Sequence, residues 1–276
     1  MYLGYNTSGF AYHRLEDALA ILADLGYRSV GLTLDYHSLD PFSRQATRRA
    51  RHIAALLDKL GLRCVLETGA RFLLDPRRKH QPTLISERPE ERELRRQLIV
   101  RAIQLAPILH AERVSFWSGA AESPRPAESL WPVFLQELDR LLRRAEKEGI
   151  TLCLEPEPGM LFDRLALWPR VRSVFASPYL KLTVDIGHLH CLGEVPIADR
   201  LRAWGHDIAH VHIEDMRAGV HEHLMFGEGE IAFEPVLQTL VAVNYQGCVC
   251  VELDRHAHDA PAVARRAYEY LHKHFS

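Results

Sequence analysis

The chain carries almost no excess of charge: 34 Lys and Arg against 36 Asp and Glu leave a formal net charge of -2 over 276 residues. A surface built to hold a polyanion needs a basic excess, so nucleic acid is not an expected partner. Long apolar runs are missing as well. No stretch approaches the roughly 18 consecutive apolar residues that would span a bilayer, so no membrane partner is expected. The opening Met1-Tyr2-Leu3-Gly4-Tyr5-Asn6 lacks the basic and apolar regions of a secretory leader, which makes a cytoplasmic location the expectation. Cysteine is sparse and odd in number, at five. Cys64, Cys153, Cys248 and Cys250 lie inside apolar strand-like runs, where a reduced thiol packs as a small core residue. Cys248 and Cys250 have no second pair or suitably placed histidine to complete a thiolate metal site. A glycine-rich phosphate loop is absent too, since Asn6-Thr7-Ser8-Gly9 does not supply one after the first strand-like run. What remains, 47% hydrophobic and 25% charged, is a globular composition with enough chain for a sizeable core.

Along the chain one unit recurs. Leu15, Ala18, Leu19, Leu22 and Leu25 fall at helical spacing and stop at Gly26, and Ser29 to Asp35 then reads as a buried strand. Ile53, Leu56, Leu57 and Leu60 stop at Gly61 before the strand Arg63 to Glu67. Phe134, Leu138, Leu141 and Ala145 stop at Gly149 before Thr151 to Glu155, and Leu237, Leu240 and Val241 precede Asn244 and the strand Cys248 to Glu252. Leu3 to Asn6, Arg113 to Trp117, Lys181 to Asp185 and Ile208 to Ile213 bring the candidate strands to eight. Strands alternating with helices imply parallel pairing through right-handed crossovers. Eight such units in about 250 residues predict a (β/α)8 TIM barrel, one domain over residues 1–276, rather than an open doubly wound sheet.

In such a barrel the carboxyl ends of the strands share one face, and that is where the acids are. Glu155, Asp185, His212 and Glu252 each close or nearly close a strand, and Cys153 with Glu155, His210 with His212, and Cys250 with Glu252 share faces by alternation. Three converging carboxylates would repel one another unless a cation lies between them, and with one imidazole they form an oxygen-rich set suited to Mn²⁺ or Mg²⁺, with Zn²⁺, Co²⁺ or Fe²⁺ also accommodated. His188, freed by Gly187, reads as a substrate-facing donor or extra ligand, and His210, one layer deeper, as a core or supporting group. Asn6, Asp35, His37 and Glu67 at the ends of the first three strands, with Trp117, Phe10 and Phe226 as walls, are expected to shape a substrate pocket. The loop Ala70 to Glu90 is long for its place. Its Arg71, Arg77, Arg78, Lys79 and His80 read either as a lid attracting an anionic or polyhydroxy substrate or as a solvated loop. Glu90 to Arg96 reads as an exposed helix start. Pro124 to Pro132 reads as irregular, with Trp131 as pocket wall or core anchor.

Leu154-Glu155, Asp185-Ile186-Gly187-His188, His210-Val211-His212-Ile213-Glu214-Asp215, Phe226-Gly227-Glu228-Gly229-Glu230-Ile231 and Val251-Glu252 together resemble the sugar phosphate isomerase/epimerase group of xylose isomerase-like barrels, within the AP endonuclease family 2 superfamily. The resemblance is sharp from about Thr151 to Arg255 and rests on the helix-strand rhythm before that. It implies a divalent metal held by Glu155, Asp185, His212 and Glu252, both glutamates moving protons, and His188 and Arg217 holding the hydroxyls of a small polyhydroxy substrate. A homo-oligomer is compatible with it.

The residue types suit that chemistry. Shifting a carbonyl along a sugar, or inverting the carbon beside it, removes a weakly acidic C–H proton. A cation on the carbonyl oxygen stabilises the enediolate while one carboxylate takes the proton and another, expected on an opposite strand, returns it. A lyase of the inosose or dehydroshikimate dehydratase kind resembles the same group and begins with the same proton. It needs in addition an acid over the departing hydroxyl, for which His188, His37 or Glu157 are candidates, Glu157 standing where the group often has asparagine. A metabolite-binding barrel without turnover is the third reading, disfavoured because both glutamates are present. An endonuclease IV-like nuclease shares the Asp185 to His188 spacing and a motif like His221-Glu222-His223. Trp117 stands where a histidine of its multi-metal cluster belongs, and the chain has no basic excess. His223 itself reads either as a residue approaching the metal or as a loop histidine capping Gly227 or Glu228.

Overall fold

A computed structural model describes residues 1–69, 71–111 and 113–275. Ala70, with which the long loop was expected to open, lies outside the described residues. The strands, in chain order, are β1 (Tyr2–Asn6), β2 (Ser29–Thr33), β3 (Arg63–Glu67), β4 (Arg113–Trp117), β5 (Thr151–Glu155), β6 (Leu180–Asp185), β7 (Ile208–Ile213), β8 (Asp215–Arg217), β9 (Val220–Leu224) and β10 (Cys248–Val251). The helices are α1 (Leu15–Leu25), α2 (Ala46–Leu60), α3 (Pro89–Leu105), α4 (Ala127–Glu148), α5 (Trp168–Arg172), α6 (Ile186–Cys191), α7 (Ile197–Trp204), α8 (Phe233–Ala242) and α9 (Ala260–Leu271). Parallel strands close in the order β1-β10-β7-β6-β5-β4-β3-β2, while β8 and β9 form an antiparallel hairpin inserted between β7 and β10. The predicted (β/α)8 barrel is therefore the observed architecture. No helix among the described residues is long and apolar enough to cross a membrane.

Alternation divides each strand between two environments. The outward residues, such as Leu32, Leu66, Phe116, Leu152, Leu182 and Val211, are fully or almost fully buried against the helical layer. Cutting one of these leucines back to alanine would cost about 2–5 kcal/mol. Most inward residues below the cavity are small or polar. Gly4 leaves room for Cys248, whose Sγ would lie 2.4 Å from a Cβ at that position, and Gly31 similarly faces Cys250 and Glu67. Ser115 Oγ and Thr183 Oγ1 bond across the interior at 2.8 Å. All five cysteines are free and buried, as small core residues should be.

The helix stops follow the glycine signals: α2 and α4 end at Gly61 and Gly149, whose left-handed φ values of 66° and 69° release the chain into the next strand. Three expectations need correction. The irregular stretch expected up to Pro132 is already helical from Ala127, with Pro132 inside the helix, and Trp131 is core. The start of α3 is not simply exposed: Glu91 is mostly buried and Arg95 fully so. Strand β2 ends at Thr33, so Asp35 and His37 lie in the loop beyond it.

Candidate metal centre

Each candidate side chain sits at or next to the end of a strand. Asp185 ends β6 and caps α6, its Oδ1 accepting from the His188 amide at 2.8 Å, which leaves Oδ2 buried with no hydrogen-bond partner. His212 lies beside it in register, and Cys250 is the next partner across β10, which sets Glu252 one step above the strand's last rung. His212 Nδ1 lies 2.9 Å from Glu155 Oε1 and 3.1 Å from Glu252 Oε2. One ligand atom from each of Glu155, Asp185, His212 and Glu252 falls within 4.8 Å of all the others. The sequence placed the two glutamates on opposite strands. In the closed order β5 and β10 are three strands apart, so the carboxylates flank one imidazole rather than face each other across the barrel.

Beneath this layer Glu67 Oε1 accepts from His210 Nε2 at 2.9 Å and from His212 Nε2 at 3.1 Å. With its far nitrogen tied to a carboxylate, His212 turns Nδ1 toward the three acids, the arrangement that fixes a metal-binding tautomer. Asn6 Nδ2 donates to Glu252 Oε1 at 3.3 Å, and Asn6 Oδ1 is itself fixed by the Ser8 amide and by Thr33 Oγ1.

Burial pushes Glu155 up to about 7, although His212 pulls it the other way, and burial raises Glu252 too. Burial and the neighbouring acids hold Glu157 and Glu214 well above the usual carboxylate range. Burial would lower His212, but Glu155, Glu252 and Glu67 outweigh it and hold the imidazole well above its ordinary value. For Asp185, burial is outweighed by His188 and His223, which keep it below the ordinary range. His188 is lowered to about 3 by burial. Two glutamates raised by burial, an imidazole nitrogen aimed among the acids and an orphaned Asp185 oxygen fit a divalent cation, whose charge would keep all three carboxylates ionised.

A cavity of about 320 Å³ opens above this centre, lined by Glu155, His212 and Glu252 at its floor and by Asn6, Glu67, Trp117, His188 and Glu157 among its walls. Of the predicted substrate residues the structure brings Asn6, Glu67, Trp117 and His188 to it, although Glu67 is already committed to two imidazoles. His37 and Arg217 are not brought there. His37 is exposed, stacks on Tyr36 and lines a separate side groove. Arg217 is exposed on the hairpin, where Nη2 donates to Glu228 O at 3.0 Å. Glu157 is not the exposed loop acid its two prolines suggest; it is half-buried on the cavity wall.

Part of the long loop borders the cavity. Arg71, Lys79 and His80 line the cavity, but Arg71 is tied to Asp254 at 3.1 Å and Arg78 is spent on Asp75, Glu91 and Glu122, so much of the expected cationic attraction is neutralised locally. Two contributors were missed in the sequence, and a third, His223, is placed differently from the cap it suggested. Arg95 lies under the cavity wall, its guanidinium 3.9 Å from the Trp117 ring centroid and bonded to Thr68 O at 2.7 Å. Glu214, fully buried, continues the inward alternation of His210 and His212, a signal that was there to be read. His223 does not cap Gly227 or Glu228. Its Nδ1 lies 3.0 Å from Glu252 O, and Asp215 Oδ2 takes the Gly227 amide.

A family model described as "Xylose isomerase-like TIM barrel" matches residues 19–274. An inosose dehydratase of Clostridium beijerinckii is 31% identical over 163 residues, 53% of this chain and 53% of that protein. An L-ribulose-5-phosphate 3-epimerase, UlaE, of Shigella flexneri serotype 5b is 24% identical over 261 residues, 89% of this chain and 84% of the other. The chain spans about half the length of several of the curated relatives it matches. Among solved structures, a D-tagatose 3-epimerase-like protein superposes with a TM-score of 0.78 at 22% identity, and the IolI protein with a bound zinc atom with 0.75 at 16%, each over 100% of both chains. At those identities the likeness is one of fold.

Proposed function

The chain belongs to the xylose isomerase-like TIM barrel family, and on that premise we propose that it is a divalent-metal-dependent isomerase or epimerase acting on a sugar, sugar phosphate or cyclitol. The observation that carries this reading is the pair Glu155 and Glu252 on either side of His212 Nδ1 at the floor of the cavity. Mn²⁺ or Mg²⁺ suits the oxygen-rich set of Glu155, Asp185, His212 and Glu252. The ion, when bound, would polarise the substrate carbonyl and make the adjacent C–H more acidic.

The chain's own groups supply the rest. Each glutamate has two oxygens, so one can remain at the centre while the other takes or returns the carbon-bound proton. Asn6 orients Glu252 through Oε1, and His188 presents a neutral imidazole to substrate hydroxyls from the cavity wall. Trp117 closes the side over Arg95 and, with the loop bearing Arg71 and His80, limits water at the reacting carbon. Relatives whose names state sugar epimerisation support this reading.

A dehydratase reading draws on Glu157, whose carboxylate reaches within 3.8 Å of His221 Nε2 on the same wall, where an acid could serve a departing hydroxyl. Incubation with ketoses, aldoses, inososes and their phosphates in D₂O separates the two. Metal-dependent deuterium at carbon with a sugar product supports the isomerase or epimerase, and a dehydrated product moves the assignment to the lyase. Glu155→Gln and Glu252→Gln should each abolish exchange with the fold intact; near wild-type exchange in either would end the proton-transfer assignment.

A further inference from the structure

Arg95 carries a charge that the proposed reaction does not use. It lies inside α3 and is fully buried, yet among the described residues no carboxylate pairs with it. Burial alone draws the guanidinium down to about 9, and its Nε and Nη1 have no hydrogen-bond partner. A cation held out of water without a counter-charge is costly, so the contacts it does make should matter. There are two. Nη2 donates to Thr68 O at 2.7 Å, and the guanidinium lies 3.9 Å from the centre of the Trp117 ring.

Trp117 ends β4 and pairs in register with Glu155 at the end of β5, so it stands on the cavity wall beside a carboxylate proposed to move protons. His80 meets the same indole edge-on, with ring centres 5.7 Å apart and planes at 89°. The loop is tied in turn. His80 Nδ1 lies 2.7 Å from Gly69 O, and the His80 amide donates to Arg71 O at 2.6 Å. Thr68 donates to Ser115 O of β4 through both its amide, at 3.2 Å, and Oγ1, at 2.9 Å. A helix, a strand end and the loop bordering the cavity therefore meet at one indole. A guanidinium suits that place because it is flat, weakly hydrated and stacks on an aromatic face, which an ammonium does not.

We infer that Arg95 is a positioning residue of the proposed site: stacked on Trp117, it fixes the indole as the wall beside Glu155 and, through His80, steadies the loop at the rim. A polyhydroxy ligand then meets a rigid face, and water is kept from the carboxylate. The inference rests on the proposed function for the reaction served, but not for the link between Arg95 and Trp117.

The test reads that link with and without turnover. Full-length protein, Arg95→Lys and Arg95→Met are compared, each beside its Trp117→Phe counterpart, so that Trp117 emission is isolated by difference. Acrylamide should quench that emission at least about twofold more strongly in both Arg95 variants, because a loosened indole meets solvent. Arg95→Lys keeps the charge and guards against a variant that fails to fold. Unchanged quenching in a folded variant overturns the inference. With a substrate from the D₂O panel, Arg95→Met should raise KM at least about 10-fold while kcat stays within about threefold, and recovered substrate should carry more solvent deuterium per turnover. The double variant Arg95→Met with Trp117→Ala should be no worse than Trp117→Ala alone. An unchanged KM, or fold-changes that multiply in the double variant, would leave Arg95 a merely structural role and refute the inference. If the wild type turns over nothing in the panel, the proposed function fails, and the quenching comparison still decides the place of Arg95.

Discussion

Replacing Glu67 with glutamine tests whether His212 is held in place for a cation. The carboxylate oxygen Oε1 serves two imidazoles, His210 at 2.9 Å and His212 at 3.1 Å, from a position only 6% exposed. Glutamine keeps the length of the side chain and one acceptor, but it removes the charge that keeps the His212 proton on Nε2 and brings an amide donor toward two rings that also donate. Loss of the outer partner of a ligating histidine lowers metal affinity about 10–100-fold, or ~1.4–2.8 kcal/mol. The assay is a Mn²⁺ titration competed against a chromophoric chelator, with circular dichroism as the control for folding. Asp185→Asn, which alters a ligand itself, should lose more. A Kd for Glu67→Gln within about twofold of wild type, with an unchanged spectrum, would show that the tie to Glu67 does not present Nδ1 and would remove the physical basis for this histidine as a ligand.

A Cβ at Gly187 would sit 2.0 Å from Glu214 Oε1 and 2.6 Å from Met216 Cε, so Gly187→Ala should destabilise the fold by about 1–3 kcal/mol in urea unfolding; an unchanged midpoint would mean that Glu214 moves freely. His80 is lowered to about 4, chiefly by burial, while an unfolded histidine titrates near 6.5. The stability contributed by neutral His80 is therefore whole above about pH 6.5 and is lost as pH falls toward 4, and His80→Gln should flatten the melting temperature across that window. An equally steep profile in the variant would assign the slope to other groups. Stripping metal with a chelator should lower the melting temperature and restoring Mn²⁺ should recover it, by about 2.7 kcal/mol at a hundredfold excess over Kd; no shift would count against a cation in the folded centre.

The barrel was legible because its signals are local and repeated. Apolar runs gave β3, β4, β5 and β7 with their observed ends, glycine stops announcing β3 and β5, and alternation alone set Glu155, His212 and Glu252 on inward faces. Family resemblance supplied Arg217, and the structure holds that side chain away from the cavity, because the short β8–β9 pairing fixes it near Glu228. Arg95 was hidden for a different reason. Charge alternation at the start of α3 looks solvated, yet a guanidinium stacked on an indole can be buried without a carboxylate, and no local pattern announces the distant Trp117. The inserted hairpin was also missed, since Val220 to Leu224 alternates histidine with glutamate and offers none of the apolar content by which strands are recognised.

The packed floor of the barrel bears on how the protein exchanges what it holds. Cys248 against Gly4, Cys250 against Gly31 and Ser115 joined to Thr183 fill the barrel interior below the acids. On the proposed function, ion and substrate enter through the cavity above the acids, where Arg71 is fastened to Asp254. On that reading loading would have an order: the ion would go in first, and a sugar seated above it would become a stopper. A purified sample would carry the ion it last met before that stopper arrived, so extraction by a chelator should slow when ligand is present, at a rate set by departure of the ligand rather than by the strength of the metal bonds.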